Sequence, residues 1–247
     1  MEWRSEGGVE WLEAELPRAR AVFSTRIGGV SEGPYESLNL GYLTGDEGDR
    51  VVENRRRLTT ALGLDPERVL IGRQVHEAEI AVHLERQRPS PFDSPGAPVA
   101  EVDGQVALEP GLAPIVLTAD CLPVALAGPG GVAMLHCGWR GLAAGIVGHG
   151  VEAIAATDAA IGPGIGPCCY EVGEDVLAAF AALGIDEPGP TVDLTEVARR
   201  LLAAAGVERV EAAAPLCTSC EERRFFSHRR GAGTTGRQAG LVWIEER

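Results

Sequence analysis

The chain has 247 residues, 45% hydrophobic and 23% charged, a balance that supplies a core for one mixed domain spanning residues 1–247 and excludes global disorder. Its 36 acidic residues against 22 basic ones give a formal charge of −14, so most of the surface repels phosphate backbones and nucleic acid is excluded as a general partner. All 22 basic residues are arginine, which rules out a P-loop lysine, a pyridoxal Schiff base and a kinase lysine.

No apolar run approaches the roughly 20 residues that span a bilayer. Met1-Glu2-Trp3-Arg4-Ser5-Glu6 lacks the basic start and apolar middle of a secretory signal, and a cytoplasmic location is the expectation. In a reducing compartment the six cysteines read as free thiols, ligands or a nucleophile rather than as a disulfide framework.

Taken in chain order, Ala21-Val22-Phe23-Ser24-Thr25-Arg26 is β-prone and runs into a Gly-rich loop. Residues 46–64 place Val51, Val52, Leu58, Ala61 and Leu62 at helical spacing, with Gly63 as a stop signal. Short apolar runs at 69–72, 80–84, 115–118, 123–127 and 132–136 predict strands of a buried sheet. Residues 89–98 hold four prolines and predict a surface loop or flap. Helices are expected over 142–156, 173–183 and 194–205, and a final strand over 239–244. The fold class is mixed α/β (α+β), one domain with helices covering sheets.

Three segments near predicted strand ends carry metal-capable side chains: Arg73-Gln74-Val75-His76, Thr118-Ala119-Asp120-Cys121-Leu122-Pro123, and Leu135-His136-Cys137-Gly138-Trp139-Arg140-Gly141. Imidazole and thiolate are preferred zinc ligands, and three of them leave a fourth position for water, the pattern of a catalytic site. His76, Cys121 and His136 can supply that set. The same atoms also suit nucleophilic catalysis, with Cys121 as thiolate and His136 as its base, a use that does not need His76. Asp120 reads equally as a general base, as a carboxylate that orients a histidine, or as a turn residue bonding its own backbone.

Arg26 and Arg140 lie in Gly-rich turns, where a guanidinium fork can grip a phosphate or carboxylate. Ser24, Ser31 and Asn39 offer neutral donors in or beside the first such loop. Gly162-Pro163-Gly164-Ile165-Gly166-Pro167 misses the dinucleotide fingerprint spacing and reads as a structural turn. Cys217-Thr218-Ser219-Cys220 is a single C-x-x-C without a second pair, read as structural or incidental. Phe225-Phe226-Ser227-His228-Arg229-Arg230 is either a packed turn with a solvated arginine face or a wall of a substrate pocket.

Together, Thr118-Ala119-Asp120-Cys121-Leu122-Pro123, His136-Cys137-Gly138-Trp139-Arg140-Gly141, Gly162 through Val172, and the tail from Phe225 through Thr235-Gly236-Arg237-Gln238-Ala239-Gly240 resemble the YfiH family. It is also called the laccase-domain or multicopper polyphenol oxidase family and is described as purine nucleoside phosphorylases. The resemblance runs from about Phe23 to the C-terminus. It implies a zinc site of His76, Cys121 and His136, and a layered α-β-β-α fold of the cytotoxic necrotizing factor kind. It also implies phosphorolysis of adenosine, inosine, guanosine or methylthioadenosine to base and ribose 1-phosphate, and deamination of adenosine to inosine.

On that basis Asp120, Cys121, His136 and Arg140 are the expected catalytic residues, Ser24, Arg26, Asn39 and Arg140 the substrate-binding ones, and a purine nucleoside and phosphate the partners. Copper competes with zinc as the metal, because two histidines and a cysteine resemble part of a blue-copper set. A four-copper oxidase, however, needs many histidines and the chain has five. The same residues also admit a cysteine hydrolase or deamidase built on Cys121 and His136, and a non-catalytic metal-handling module.

Overall fold

Gly7 and Gly8 both have positive φ, 56° and 84°, the backbone of a two-residue hairpin turn. They join β1 (Glu2–Glu6) to β2 (Val9–Leu16), two strands the hydrophobic pattern of the sequence did not disclose. The computed structural model describes residues 1–94, 96–185 and 189–245. The chain continues through β3 (Ala19–Ser24), α1 (Gly48–Leu62), β4 (Val69–Leu70), β5 (Ile80–His83), β6 (Gly104–Ala107), β7 (Ala113–Thr118), β8 (Leu122–Gly128) and β9 (Gly131–Cys137). Then follow α2 (Trp139–Ala143), α3 (Ile146–Ile154), β10 (Asp158–Ile161), α4 (Glu174–Ala181), α5 (Leu194–Ala204), β11 (Arg209–Ala212) and β12 (Gln238–Ile244).

The strands form two six-stranded sheets, ordered β1-β2-β3-β12-β7-β4 and β11-β10-β8-β9-β6-β5. Pairing is mostly antiparallel, with parallel contacts at β4–β7, β5–β6 and β10–β11. Three apolar layers hold them together. Leu12, Ala21, Phe23, Val116, Ala125, Met134 and Val242 fill the space between the sheets. Val22, Leu58, Leu62, Ile115 and Leu241 pack α1 on the outer face of the first sheet. Leu126, Leu135, Ile146, Val151, Phe180, Val197 and Leu202 pack the remaining helices on the outer face of the second. The layered α-β-β-α expectation is the observed architecture.

Residues 46–64 form their helix with only the ends trimmed, and Gly63 closes it at φ 67°, a left-handed cap that favours glycine. The helix expected over 142–156 is instead two, because Gly145 at φ 92° breaks the chain between α2 and α3. Residues 89–98 lack regular structure where described, Pro95 lying outside the described residues. They are not a free flap: Phe92 is buried, and the buried Arg55 guanidinium stacks on its ring and donates to its carbonyl at 2.7 Å.

Candidate metal centre

The centre is built around Asp103, a fully buried carboxylate one residue before β6. Its oxygens accept from the backbone N–H groups of Val75, His76 and Glu77 at 3.0, 3.0 and 2.9 Å, and from His136 Nδ1 at 2.7 Å. One side chain therefore curls the 75–77 loop and aims the His136 ring. Burial alone would raise its pKa, but the bonds from His136 and from the Glu77 and Val75 N–H groups hold it below the ordinary carboxylate range. Gln74 fixes the approach to that loop, donating to Leu117 O at 2.7 Å and accepting from Leu117 N at 2.8 Å along β7.

His76 sits at φ 65° at the tip of the loop after β4, Cys121 in the turn between β7 and β8, and His136 near the end of β9. Their ligand atoms all lie within 4.8 Å of one another. The two imidazole rings meet edge to face at 4.8 Å. Gly138 keeps the space open, since a Cβ there would stand 3.0 Å from Cys121 Sγ and 3.4 Å from the His76 ring. Burial opposes charge on both Cys121 and His136, yet each stabilises the other, with His76 and Asp103 behind them. The Cys121 pKa is lowered and the His136 pKa raised, which favours the thiolate form of Cys121. Two imidazoles and a thiolate, one imidazole oriented by a carboxylate, fit a tetrahedral metal ion with one position open.

Asp120, at φ 91°, does not orient a histidine; that part falls to Asp103. Its carboxylate accepts from Thr218 Oγ1 at 2.7 Å, Ser227 Oγ at 3.1 Å and Arg229 N at 2.7 Å, which locks the turn presenting Cys121. Ser227 also lines a cleft of about 710 Å³ together with Arg26, Arg230 and Thr235. Arg26 stacks on Phe226 at 4.6 Å and donates to Glu36 O and Glu222 O; burial, then the charge of Arg230, lowers its pKa. Arg140, exposed at the start of α2, stacks on Trp139 at 4.3 Å and has no carboxylate partner among the described residues.

A family model described as multi-copper polyphenol oxidoreductase laccase matches residues 20–245. The chain belongs to this family. It is 40% identical over 260 residues, 96% of this chain and 95% of the relative, to a protein of Geobacillus stearothermophilus named purine nucleoside phosphorylase YlmD. It is 39% identical to the Escherichia coli protein named purine nucleoside phosphorylase YfiH, over 91% of this chain and 93% of that one. The crystal structure of the Geobacillus protein superposes with a TM-score of 0.89 at 38% identity, covering 99% of both chains. Neisseria meningitidis protein NMB0706 does so at 0.81 and 34%, covering 96% of this chain and 99% of that one. The laccase-like family implies a metal-binding protein, and the His76, Cys121 and His136 cluster is a site in this member able to act so.

Two of the substrate-binding residues expected from the sequence of this family member are otherwise engaged. Ser24 is buried and accepts from Ala239 N at 2.9 Å between β3 and β12. Asn39 is fully buried: it accepts from Gly41 N and Arg237 N, and donates to Thr44 Oγ1 and Asp46 Oδ2. Both shape the loop behind the cleft and neither reaches into it. Arg26 and Arg140 do not share one pocket wall. Sequence reasoning missed Asp103, Gln74, Thr218 and Arg237. An acid flanked by Val102 and Gly104 at the start of an apolar run was the available signal for Asp103. Arg237, half-buried, lies within the field of Cys121 and Asp120, and burial lowers its pKa against their pull. Of the other histidines, His83 bonds Gln105 at 2.7 Å and His149 bonds Ala78 O at 2.9 Å, each apart from the centre. No helix among the described residues is long and apolar enough to cross a membrane.

Proposed function

We propose that the chain is a zinc-dependent purine nucleoside phosphorylase of the cytoplasm, with hydrolytic deamination of adenosine as a second activity. What carries the reading is the three-ligand centre of His76, Cys121 and His136 in a chain about 40% identical, over nearly its whole length, to proteins that bear the phosphorylase name. In phosphorolysis an oxygen of phosphate bonds to ribose C1′ as the glycosidic bond breaks. The bond pair leaves with the purine, which takes up a proton, and the products are base and ribose 1-phosphate.

The arginines divide the binding work. Arg140, free of a carboxylate and braced on Trp139, is the anion clamp, and Arg26 with Arg230 gives the neighbouring cleft a positive wall. Asp120, held by three donors, is a positioning residue between that cleft and Cys121. A zinc ion held by His76, Cys121 and His136 would supply Lewis acidity at the centre; Asp103 keeps His136 in the tautomer whose Nε2 is available to it.

Adenosine is incubated with wild type and with His76→Ala, with and without phosphate, beside elemental analysis of both proteins. Zinc in the wild type, adenine release that needs phosphate, and loss of both in the variant are expected. Metal-free wild type with unchanged behaviour of the variant would overturn the reading. A second reading is favoured by the run Asp103–His136–Cys121, the order of a hydrolase triad. Its mark is rapid alkylation of Cys121 together with activity on an amide that survives chelation.

A further inference from the structure

Cys217 and Cys220 stand three positions apart in the loop before the Phe225–Phe226 pair, and no second C-x-x-C exists to match them. The fold brings them to Cys168 and Cys169, a vicinal pair far earlier in the sequence. All four sulfurs lie within 4.8 Å of one another, with Cys169–Cys220 at 3.4 Å and Cys168–Cys220 at 3.6 Å. We propose that these four cysteines form a second metal site, a closed tetrahedral thiolate site for one zinc ion, separate from the His76, Cys121 and His136 centre.

The spacing is the first support. Zinc–sulfur bonds of about 2.3 Å in a tetrahedron put the sulfurs about 3.8 Å apart, and a disulfide needs about 2.05 Å between one chosen pair. All four atoms stand within 4.8 Å of one another, and Cys220 approaches both Cys168 and Cys169 rather than one chosen partner. All six cysteines are free thiols.

The surroundings suit thiolates. Gly166 N–H donates to Cys217 Sγ at 3.2 Å, and the N–H groups of Ser219 and Cys220 also face that sulfur. Bonds of this kind stabilise and orient a metal-bound sulfur. Gly166 is needed for the approach, since a Cβ there would come within 3.2 Å of Cys217 Cβ and 3.4 Å of Cys168 Sγ. Four thiolates and one zinc ion carry a net charge of −2, and two guanidinium groups from the 225–230 segment reach the same turns. Arg229 donates to Cys169 O at 3.1 Å and Glu171 O at 2.9 Å; Arg230 donates to Thr218 O at 2.7 Å and Ser219 O at 3.0 Å. Zinc binding releases the four thiol protons to solvent.

The backbone is already arranged for the purpose. Gly164 pairs with Cys217 as an isolated parallel bridge, and Thr218 N donates to Gly164 O at 3.0 Å. Each cysteine pair occupies a tight turn: Cys169 N bonds Gly166 O at 3.0 Å, and Cys220 N bonds Cys217 O at 3.1 Å. Cys217 is buried, Cys169 half-buried, and Cys168 and Cys220 lie at the surface, which leaves an entry path for the ion. The site is a fastener between two loops that also meet through hydrogen bonds and through Ile165 and Cys217 in the same apolar cluster.

The test is independent of phosphorolysis and needs no turnover. Protein purified with reductant is analysed for metal as wild type, as Cys121→Ala, and as Cys217→Ser/Cys220→Ser. About two zinc ions per wild-type chain, falling by one in each variant, are expected. Cys121→Ala is then loaded with cobalt(II) in place of zinc. The intense thiolate-to-cobalt bands of a four-sulfur tetrahedral site should appear, so the proposal is tested in protein whose four cysteines are intact even if the double serine variant fails to fold. Cys121→Ala that holds no metal, with Cys168, Cys169 and Cys220 open to alkylation, would overturn it. So would a mass two hydrogens below that of the fully reduced chain, the sign of a disulfide. Zinc on the four cysteines without any nucleoside turnover would leave this site standing while the proposed function fails.

Discussion

The two sulfur-bearing regions of the molecule answer different chemical demands. His76, Cys121 and His136 come from three separate loops at strand ends, are backed by Asp103, and leave one side open. The four cysteines come from two tight turns, use sulfur alone, and lie within 4.8 Å of one another. Three mixed ligands with an open position make a reactive centre; four thiolates with none make a structural one. Asp120 touches both regions, since of the groups that hold its carboxylate Thr218 lies within one cysteine turn and Arg229 donates to Cys169 O of the other.

Several experiments break or sharpen this contrast. The largest effect is expected from Cys121→Ala: it removes a ligand, and nucleoside turnover should fall to background in a product assay while the far-ultraviolet spectrum stays folded. Chelation should separate the regions next. A strong chelator is expected to take metal and activity from the open centre first, leaving the metal of the closed site in place by elemental analysis. Acidification should release metal from both, because protons compete for imidazole and thiolate. Asp103→Asn leaves the three ligands in place but removes the negative charge behind His136 and one of the two acceptor oxygens that hold the 75–77 loop. Metal affinity or activity should fall about 10- to 100-fold, measured by competition with a chromophoric chelator.

Arg140→Ala should act only on the anion. Removing one charge-assisted contact, worth about 1.5–3 kcal/mol, should raise the KM for phosphate about tenfold or more with metal content unchanged. A KM that does not move would assign the clamp to the Arg26 and Arg230 wall. The smallest effect on either region is expected from Phe92→Ala, in the apolar layer under α1. It should cost about 3–5 kcal/mol of stability in denaturant melts without altering the metal count.

Much of the fold is readable from local pattern. The helix from Gly48 to Leu62 and the strands around 69–72, 80–84, 115–118, 123–127, 132–136 and 239–244 follow from apolar spacing bounded by Gly or Pro. β2, β6 and β10 escape it although they are largely buried, and two further missed strands have weak signatures. The exposed β1 has no buried face at all, and β11 alternates exposed with half-buried positions. The 142–156 stretch reads as one helix because its small residues suit a helix throughout, and only the left-handed backbone at Gly145 interrupts it.

The sequence by itself determined composition, charge, the absence of lysine chemistry, most core elements, and the three residues whose types can bind a metal. Tertiary structure alone decided how they cooperate. Asp103 became the pivot because a carboxylate between Val102 and Gly104 is chemically mute until a loop and a strand end fold over it. The polar atoms of Ser24 and Asn39 are committed to the chain itself, Ser24 to Ala239 N and Asn39 to Gly41, Thr44, Asp46 and Arg237. Cys217 and Cys220 gained partners for the same reason: ligand spacing is legible only when both pairs are local, and here two distant turns meet in space. Side-chain type is a property of the chain, but the proximity that turns type into chemistry is set by strand register and loop closure.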